Sequence, residues 1–208
     1  MLVNIIEYLM NLFVTGTDTG VGKTTVSAWI CSHIKTKYWK LIQTGDDSDS
    51  RFVEQYADNC EIIPDAYKFK APLSAYDASN IEKVKIDISN FATNLDKIVI
   101  EGSGGLLVPI SDDFLMVDAI KTTNSAALVV ARSKLGMINH ILLTIEILRI
   151  RKISIVGIIV VGCIEQNIYE TIEKFSREKI IAILPLSTDL KTLFYQTKIP
   201  QEIFEVLS

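Results

Sequence analysis

Histidine is nearly absent from this chain. It has only His33 and His140, and neither has a nearby acid that would suggest a catalytic pair. The three cysteines, Cys31, Cys60 and Cys163, lie far apart without metal-ligand spacing. That argues against a zinc module and fits a reducing, cytoplasmic setting, with core packing the expected role of Cys31 and Cys163. There is no basic excess: 21 Lys and Arg stand against 25 Asp and Glu, a net charge of −4, whereas a general nucleic-acid binder carries a basic face. The longest apolar stretch, residues 153 to 164, includes Ser154, Gly157 and Gly162 and is too short to span a bilayer. It reads instead as a buried parallel strand. Residues 1 to 9 are apolar but lack a basic n-region and a cleavage site, so no signal peptide is expected. They read as an extra N-terminal extension, with Met10 an alternative start.

Repeats, low-complexity segments and long Pro/Gly linkers are also missing, and 208 residues fit one domain able to bury a core without disulfides. Strand-like runs recur between helix-like runs, which predicts an α/β fold: a parallel sheet with helices on both faces. The expected strands are Leu12–Thr15, Trp39–Gln43, Lys97–Glu101, Ala126–Ala131, Ser154–Val161 and Ile180–Leu184. The expected helices are Thr24–Lys37, Ser89–Leu95, Met116–Thr122, Met137–Ile150 and Tyr169–Glu178.

The most informative stretch runs from Gly16 to Thr25, GTDTGVGKTT, between the first strand and the first helix. A glycine-rich turn leading into a helix directs successive backbone N–H groups at one point, and the helix dipole adds positive potential there. Residues Gly20, Val21, Gly22, Lys23, Thr24 and Thr25 are therefore expected to hold a polyphosphate. Lys23 would act as a point charge on the terminal phosphates, and the Thr24 hydroxyl as a Mg²⁺ ligand. The usual phosphate loop has four residues between its glycines; here Gly16 and Gly22 are separated by five.

Ligands in such sheets gather beyond the carboxyl ends of the strands, so the segments there are the ones to inspect. Glu101 ends an apolar strand and is followed by Gly102, Ser103, Gly104 and Gly105, a pattern that favours a metal-holding carboxylate beside the phosphate loop. Asp49 belongs to an acidic stretch with Asp46 and Asp47 that reads equally well as a solvated turn. Lys40, between Trp39 and Leu41, is costly to bury unless it meets an anion; an edge strand that lets it reach solvent is an equal reading. Thr44 and Gly45 follow, and Pro185, Leu186 and Ser187 follow the last strand.

Together, GTDTGVGKT (16–24), KLIQTG (40–45), SDS (48–50), IEGSGG (100–105) and KLGMINHILLT (134–144) resemble the dethiobiotin synthetase family, whose order they keep. The resemblance implies a P-loop NTPase-type fold, usually a homodimer, with ATP as cosubstrate and Mg²⁺ as cofactor. It also implies a ring-closing ligation of CO₂ to 7,8-diaminopelargonate through a carbamate and its mixed anhydride with phosphate. By resemblance Lys23 and Lys40 are catalytic, Thr24, Asp49 and Glu101 hold the metal, and Gly102, Ser103 and Gly104 adjoin the nucleotide. Thr44 would contact the substrate, and Leu135, Gly136 and Asn139 would receive its carboxylate across the dimer. The competing reading is a partitioning or cell-division ATPase switch of the same P-loop class. Many of those carry an extra lysine early in the loop, where this chain has Thr17, Asp18 and Thr19.

Two departures from the family pattern stand out. Ser74-Ala75-Tyr76 replaces the family's Ser-Pro-His, and Val161 stands where an asparagine usually reads the adenine edge. With no side-chain amide there, adenine would be held mainly by backbone near Pro185–Ser187. The expected outcome is comparable turnover with several nucleoside triphosphates; strict ATP preference in steady-state assays would refute it.

Overall fold

The computed structural model describes residues 10–92 and 94–207; residues 1–9, and with them the expected N-terminal extension, lie outside the described part. Seven strands form one sheet, and every pairing in it is parallel: β1 (Asn11–Gly16), β2 (Lys37–Lys40), β4 (Glu61–Ile63), β6 (Ile98–Gly105), β7 (Ser125–Arg132), β8 (Ile155–Val161) and β9 (Ile180–Leu184). Their spatial order is β4-β2-β6-β1-β7-β8-β9, so the chain progresses one way from β1 and then the other. That reversal at β1 is the topological switch point at which open α/β sheets bind ligands.

Strand alternation sorts the apolar side chains into two cores. Leu12, Val14, Val99, Leu128, Val130 and Ile159 face one side, packed with α1 (Lys23–His33), α2 (Asp49–Tyr56), α7 (Leu190–Gln196) and α8 (Gln201–Leu207). Phe13, Ile98, Ile100, Ala127, Val129 and Val160 face the other, packed with α3 (Ala75–Glu82), α4 (Met116–Thr122), α5 (Met137–Ile150) and α6 (Gln166–Ser176). Among the described residues no helix is long and apolar enough to cross a membrane.

The expected strand Trp39–Gln43 is two strands. Beyond Lys40 the chain leaves the main sheet, and β3 (Ile42–Thr44) pairs instead with β5 (Tyr67–Phe69). Leu41 is the pivot: its N–H donates to the Glu101 carbonyl at 3.2 Å, and its carbonyl accepts from Tyr67 N–H at 3.0 Å. The divergence opens a gap between β3 and the phosphate loop. Other boundaries also shift. The first helix stops at His33 rather than Lys37, because Ile34 is already extended and Lys37 enters the sheet. Residues 88–91 form a short 3₁₀ turn in place of the expected helix Ser89–Leu95, part of which (Thr93) lies outside the described residues. The sixth helix begins three residues before Tyr169, at Gln166, and ends at Ser176. Cys31 is buried as expected; Cys163 is exposed, because it follows Gly162 after β8 has ended.

Gly102 fixes how closely β6 approaches β1 and α4. A Cβ there would lie 2.7 Å from Phe13 Cε1 and 3.3 Å from Met116 Sδ. Gly102→Ala is therefore expected to cost about 1–3 kcal/mol through overpacking. The check is a melting temperature lowered by several degrees; an unchanged melt would mean that Phe13 moves aside freely.

Candidate active site

The phosphate loop leaves β1 at Gly16, and Thr17 N–H donates to the Val130 carbonyl of β7 at 2.9 Å. Gly20 (φ 69°) and Gly22 (φ 102°) take left-handed conformations that few side chains tolerate. Val21, fully buried between them, pins the loop to the core. Space at Gly22 is tight as well, since a Cβ would lie 3.0 Å from Val161 Cγ2. The Lys23 ammonium donates to the Asp18 carbonyl at 3.2 Å. Burial lowers its pKa to about 8; the charge of Glu101 opposes that fall and the charge of Lys40 adds to it.

At the centre lies Glu101, whose side chain is inaccessible to solvent. Alternation along β6 places it on the same face as Val99, toward α1, and register pairs it with Lys40 on one side and Val14 on the other. Its Oε1 accepts from Thr24 Oγ1 and from Lys40 Nζ, each at 2.9 Å. Its Oε2 accepts from Ser27 Oγ and Tyr38 Oη, also at 2.9 Å. Lys40 further pairs with Asp49 at 2.5 Å, and Thr24 Oγ1 lies 3.0 Å from Asp49 Oδ1.

Burial alone would depress the Lys40 pKa, but Glu101 and Asp49 outweigh it and hold the lysine above its ordinary value. Asp49 is the mirror case: burial pushes its carboxyl up, and Lys40 more than reverses that. Tyr38 is raised well above the usual phenol range, first by burial and then by the charge of Glu101, so it remains a donor.

Lys23, Thr24, Thr25, Lys40, Thr44, Asp49, Glu101, Ser103 and Gly104 line one cavity of about 480 Å³ with Gly20 and Gly22. The structure decides where both ambiguous side chains lie. Lys40 is buried against two carboxylates rather than exposed on an edge, and Asp49 opens a capped helix rather than lying in a solvated turn. Ser48 caps that helix by accepting from Arg51 N–H, and Asp49 N–H donates to Gln43 Oε1 at 3.1 Å.

The remaining sequence candidates lie elsewhere. Gly102 sits beneath the cavity, its carbonyl accepting from Lys40 at 3.3 Å. Leu135, Gly136 and Asn139 border a separate, mainly apolar depression of about 750 Å³ at the start of α5. Pro185, Leu186 and Ser187 are exposed beyond β9, where the Ser187 hydroxyl donates to the Asp189 carbonyl at 3.0 Å. Tyr76, in the first turn of α3, donates to Asp112 at 2.9 Å and does not line the phosphate-loop cavity.

Sequence reasoning missed Ser27, Tyr38 and Arg132. Ser27 lies one turn beyond Lys23 on α1, and Tyr38 two residues before Lys40; those spacings put them on the site face once the partner residues are known. Helix α2 also had a signal, a serine cap before apolar Phe52, Val53 and Tyr56.

A family model described as an AAA domain matches residues 10–192. The chain is 42% identical over 183 residues to the ATP-dependent dethiobiotin synthetase BioD of Paramagnetospirillum magneticum, covering 86% of this chain and 89% of the relative. It is 40% identical over 198 residues to that of Lawsonia intracellularis, covering 93% and 97%. Among solved structures it resembles a ParA family ATPase from Chlorobium tepidum (TM-score 0.54, 10% identity, 95% and 92% covered). It also resembles MinD in the MinC:MinD complex of Aquifex aeolicus (TM-score 0.56, 15% identity, 95% and 94% covered). At such identities these neighbours establish the P-loop NTPase-like fold alone.

Tyr38→Phe deletes one donor to a buried carboxylate and nothing else. We expect a loss of about 1–3 kcal/mol in denaturant unfolding. An unchanged midpoint would show that the phenol contributes nothing to holding Glu101.

Proposed function

The chain belongs to the ATP-dependent dethiobiotin synthetase family, and from that membership we propose that it joins CO₂ to 7,8-diaminopelargonate at the expense of one ATP, giving dethiobiotin, ADP and phosphate. One substrate amine captures CO₂ as a carbamate. The γ-phosphoryl group passes to a carbamate oxygen, and the second amine attacks the carbonyl carbon, expelling phosphate as the ring closes. The observation that carries this reading is the convergence of Lys23 and Lys40 on one cavity beside Thr24, Asp49 and Glu101. Phosphoryl transfer asks little of a protein beyond positioning and fixed positive charge.

Each residue has a distinct part. Lys40, kept protonated by its two carboxylates, presents a constant charge to the carbamate and the moving phosphoryl. Lys23, whose proton burial weakens, regains full charge when an anion enters. Thr24 and Asp49 offer hard oxygen donors in mutual reach that would hold Mg²⁺ together with water and phosphate, while Glu101, whose two oxygens already accept from protein donors, would act on the ion from behind them. That ion, when bound, would neutralise phosphate charge. Thr44 supplies a hydroxyl at the substrate end.

The separate depression at Leu135, Gly136 and Asn139 supports a homodimer in which this segment serves the active site of a second copy. Gly136 caps α5 without a side-chain acceptor, leaving N–H groups for a carboxylate, and Leu135 is fully exposed. The described residues would act as one domain, with 1–9 an extra N-terminal extension, in the cytoplasm without nucleic acid or membrane.

The test is whether ATP hydrolysis requires both 7,8-diaminopelargonate and bicarbonate. Stimulation by DNA or lipid instead would favour a partitioning-type switch. Lys40→Ala is expected to lower ring closure by on the order of 3 kcal/mol, about a hundredfold, while ATP binding is nearly preserved. An unchanged turnover rate would reduce Lys40 to a structural ion-pair partner.

A further inference from the structure

Arg132 ends β7 and lines the same cavity as Lys23 and Thr24, yet the reaction as described gives it no role. Its register partner on β8 is Val161, which packs against Gly22 of the phosphate loop. Alternation sets it on the face of Leu128 and Val130, the face that α1 and the loop cover. The loop itself is tied to β7 through Thr17 and Val130. Arg132 is half-buried, and among the described residues its guanidinium has no hydrogen-bond or ion-pair partner.

That condition is unlike those of the other two cations. Lys40 already pairs with Asp49 and Glu101. Lys23 meets only a carbonyl, and burial lowers its pKa to about 8. A guanidinium keeps its charge at any working pH and offers a planar fork of donors matched to phosphate oxygens. Strand order separates the charges in space. Lys40 and Glu101 stand on β2 and β6, on one side of β1, while Arg132 stands on β7, on the other.

We propose that Arg132 is a nucleotide-binding residue that grips the phosphate chain of a nucleoside di- or triphosphate from the β7 side, opposite Lys40. The inference deepens the ATP-dependent reading and rests on it only for nucleotide binding, not for ring closure. Fork-to-phosphate contacts are charge-assisted and among the stronger hydrogen bonds.

Direct titration of the folded protein with ADP and with ATP tests this without turnover. In Arg132→Gln, which removes the charge and shortens the side chain but keeps a polar end, both dissociation constants should rise roughly tenfold to a hundredfold, with an unchanged melt. Arg132→Lys should fall between that variant and the parent, because it keeps the charge but loses the fork. Affinities within twofold of the parent for a folded Arg132→Gln would overturn the proposal. The unmodified protein gives a second arm: ADP, but not adenosine, should shield Arg132 from an arginine-directed dicarbonyl reagent, read by peptide mass spectrometry. Equal labelling with and without ADP would likewise overturn it. A protein that binds nucleotide through Arg132 but does not turn over the diamine would keep this inference and sink the ring-closing reading.

Discussion

A carboxylate with no access to water must be answered by protein donors, and the placement of Glu101 therefore constrains much of this structure. Burying such a charge alone is prohibitive, while a fully hydrogen-bonded one is tolerable. Its four donors come from two elements, Thr24 and Ser27 on α1 and Tyr38 and Lys40 on β2, and Glu101 itself stands on β6. A one-residue slip of β2 against β6 would turn both Tyr38 and Lys40 to the opposite face. The apolar register of the sheet and the polar register of the site are thus a single requirement.

The carboxyl-end rim of the sheet carries the chemistry in spatial sequence. Lys40, Asp49 and Glu101 cluster beside the phosphate loop of β1, and Arg132 and Val161 follow on β7 and β8. The room for this arrangement comes from two small devices. Leu41 diverts β3 out of the main sheet, and glycines at 22 and 102 let backbone approach Val161 and Phe13 closely. The likeness of fold to the ParA family ATPase and membership of the dethiobiotin synthetase family are compatible on this view. The scaffold is shared, and the function resides in the residues that line it.

Much of this was legible in the chain. Helices Met116–Thr122 and Met137–Ile150 and strand Ile180–Leu184 have the boundaries that the sequence predicts, because each is an apolar pattern bounded by polar or turn-forming residues. Strands β4 and β5, three residues each, carry too few positions for a period to register. The break at Leu41 was illegible for another reason. Locally, Trp39 to Gln43 is an uninterrupted strand pattern, and the divergence is imposed by the Glu101 and Tyr67 backbone groups on either side of Leu41, which lie far away in sequence.

The same division holds for the site. Residue order alone determined the phosphate loop, the carboxylate at a strand end and the parallel α/β class, since each is a local pattern of glycine, charge and hydrophobic period. It left Lys40 and Asp49 ambiguous, because a buried ion pair and two solvated charges look alike in one dimension. Only the folded chain brings Lys40 against Asp49 and Glu101, seats Tyr38 and Ser27 on the far oxygen, and leaves Arg132 facing the cavity without a partner among the described residues. Desolvation and charge pairing depend on distances between segments some sixty residues apart, such as Lys40 and Glu101, and those distances exist only after the strands have paired.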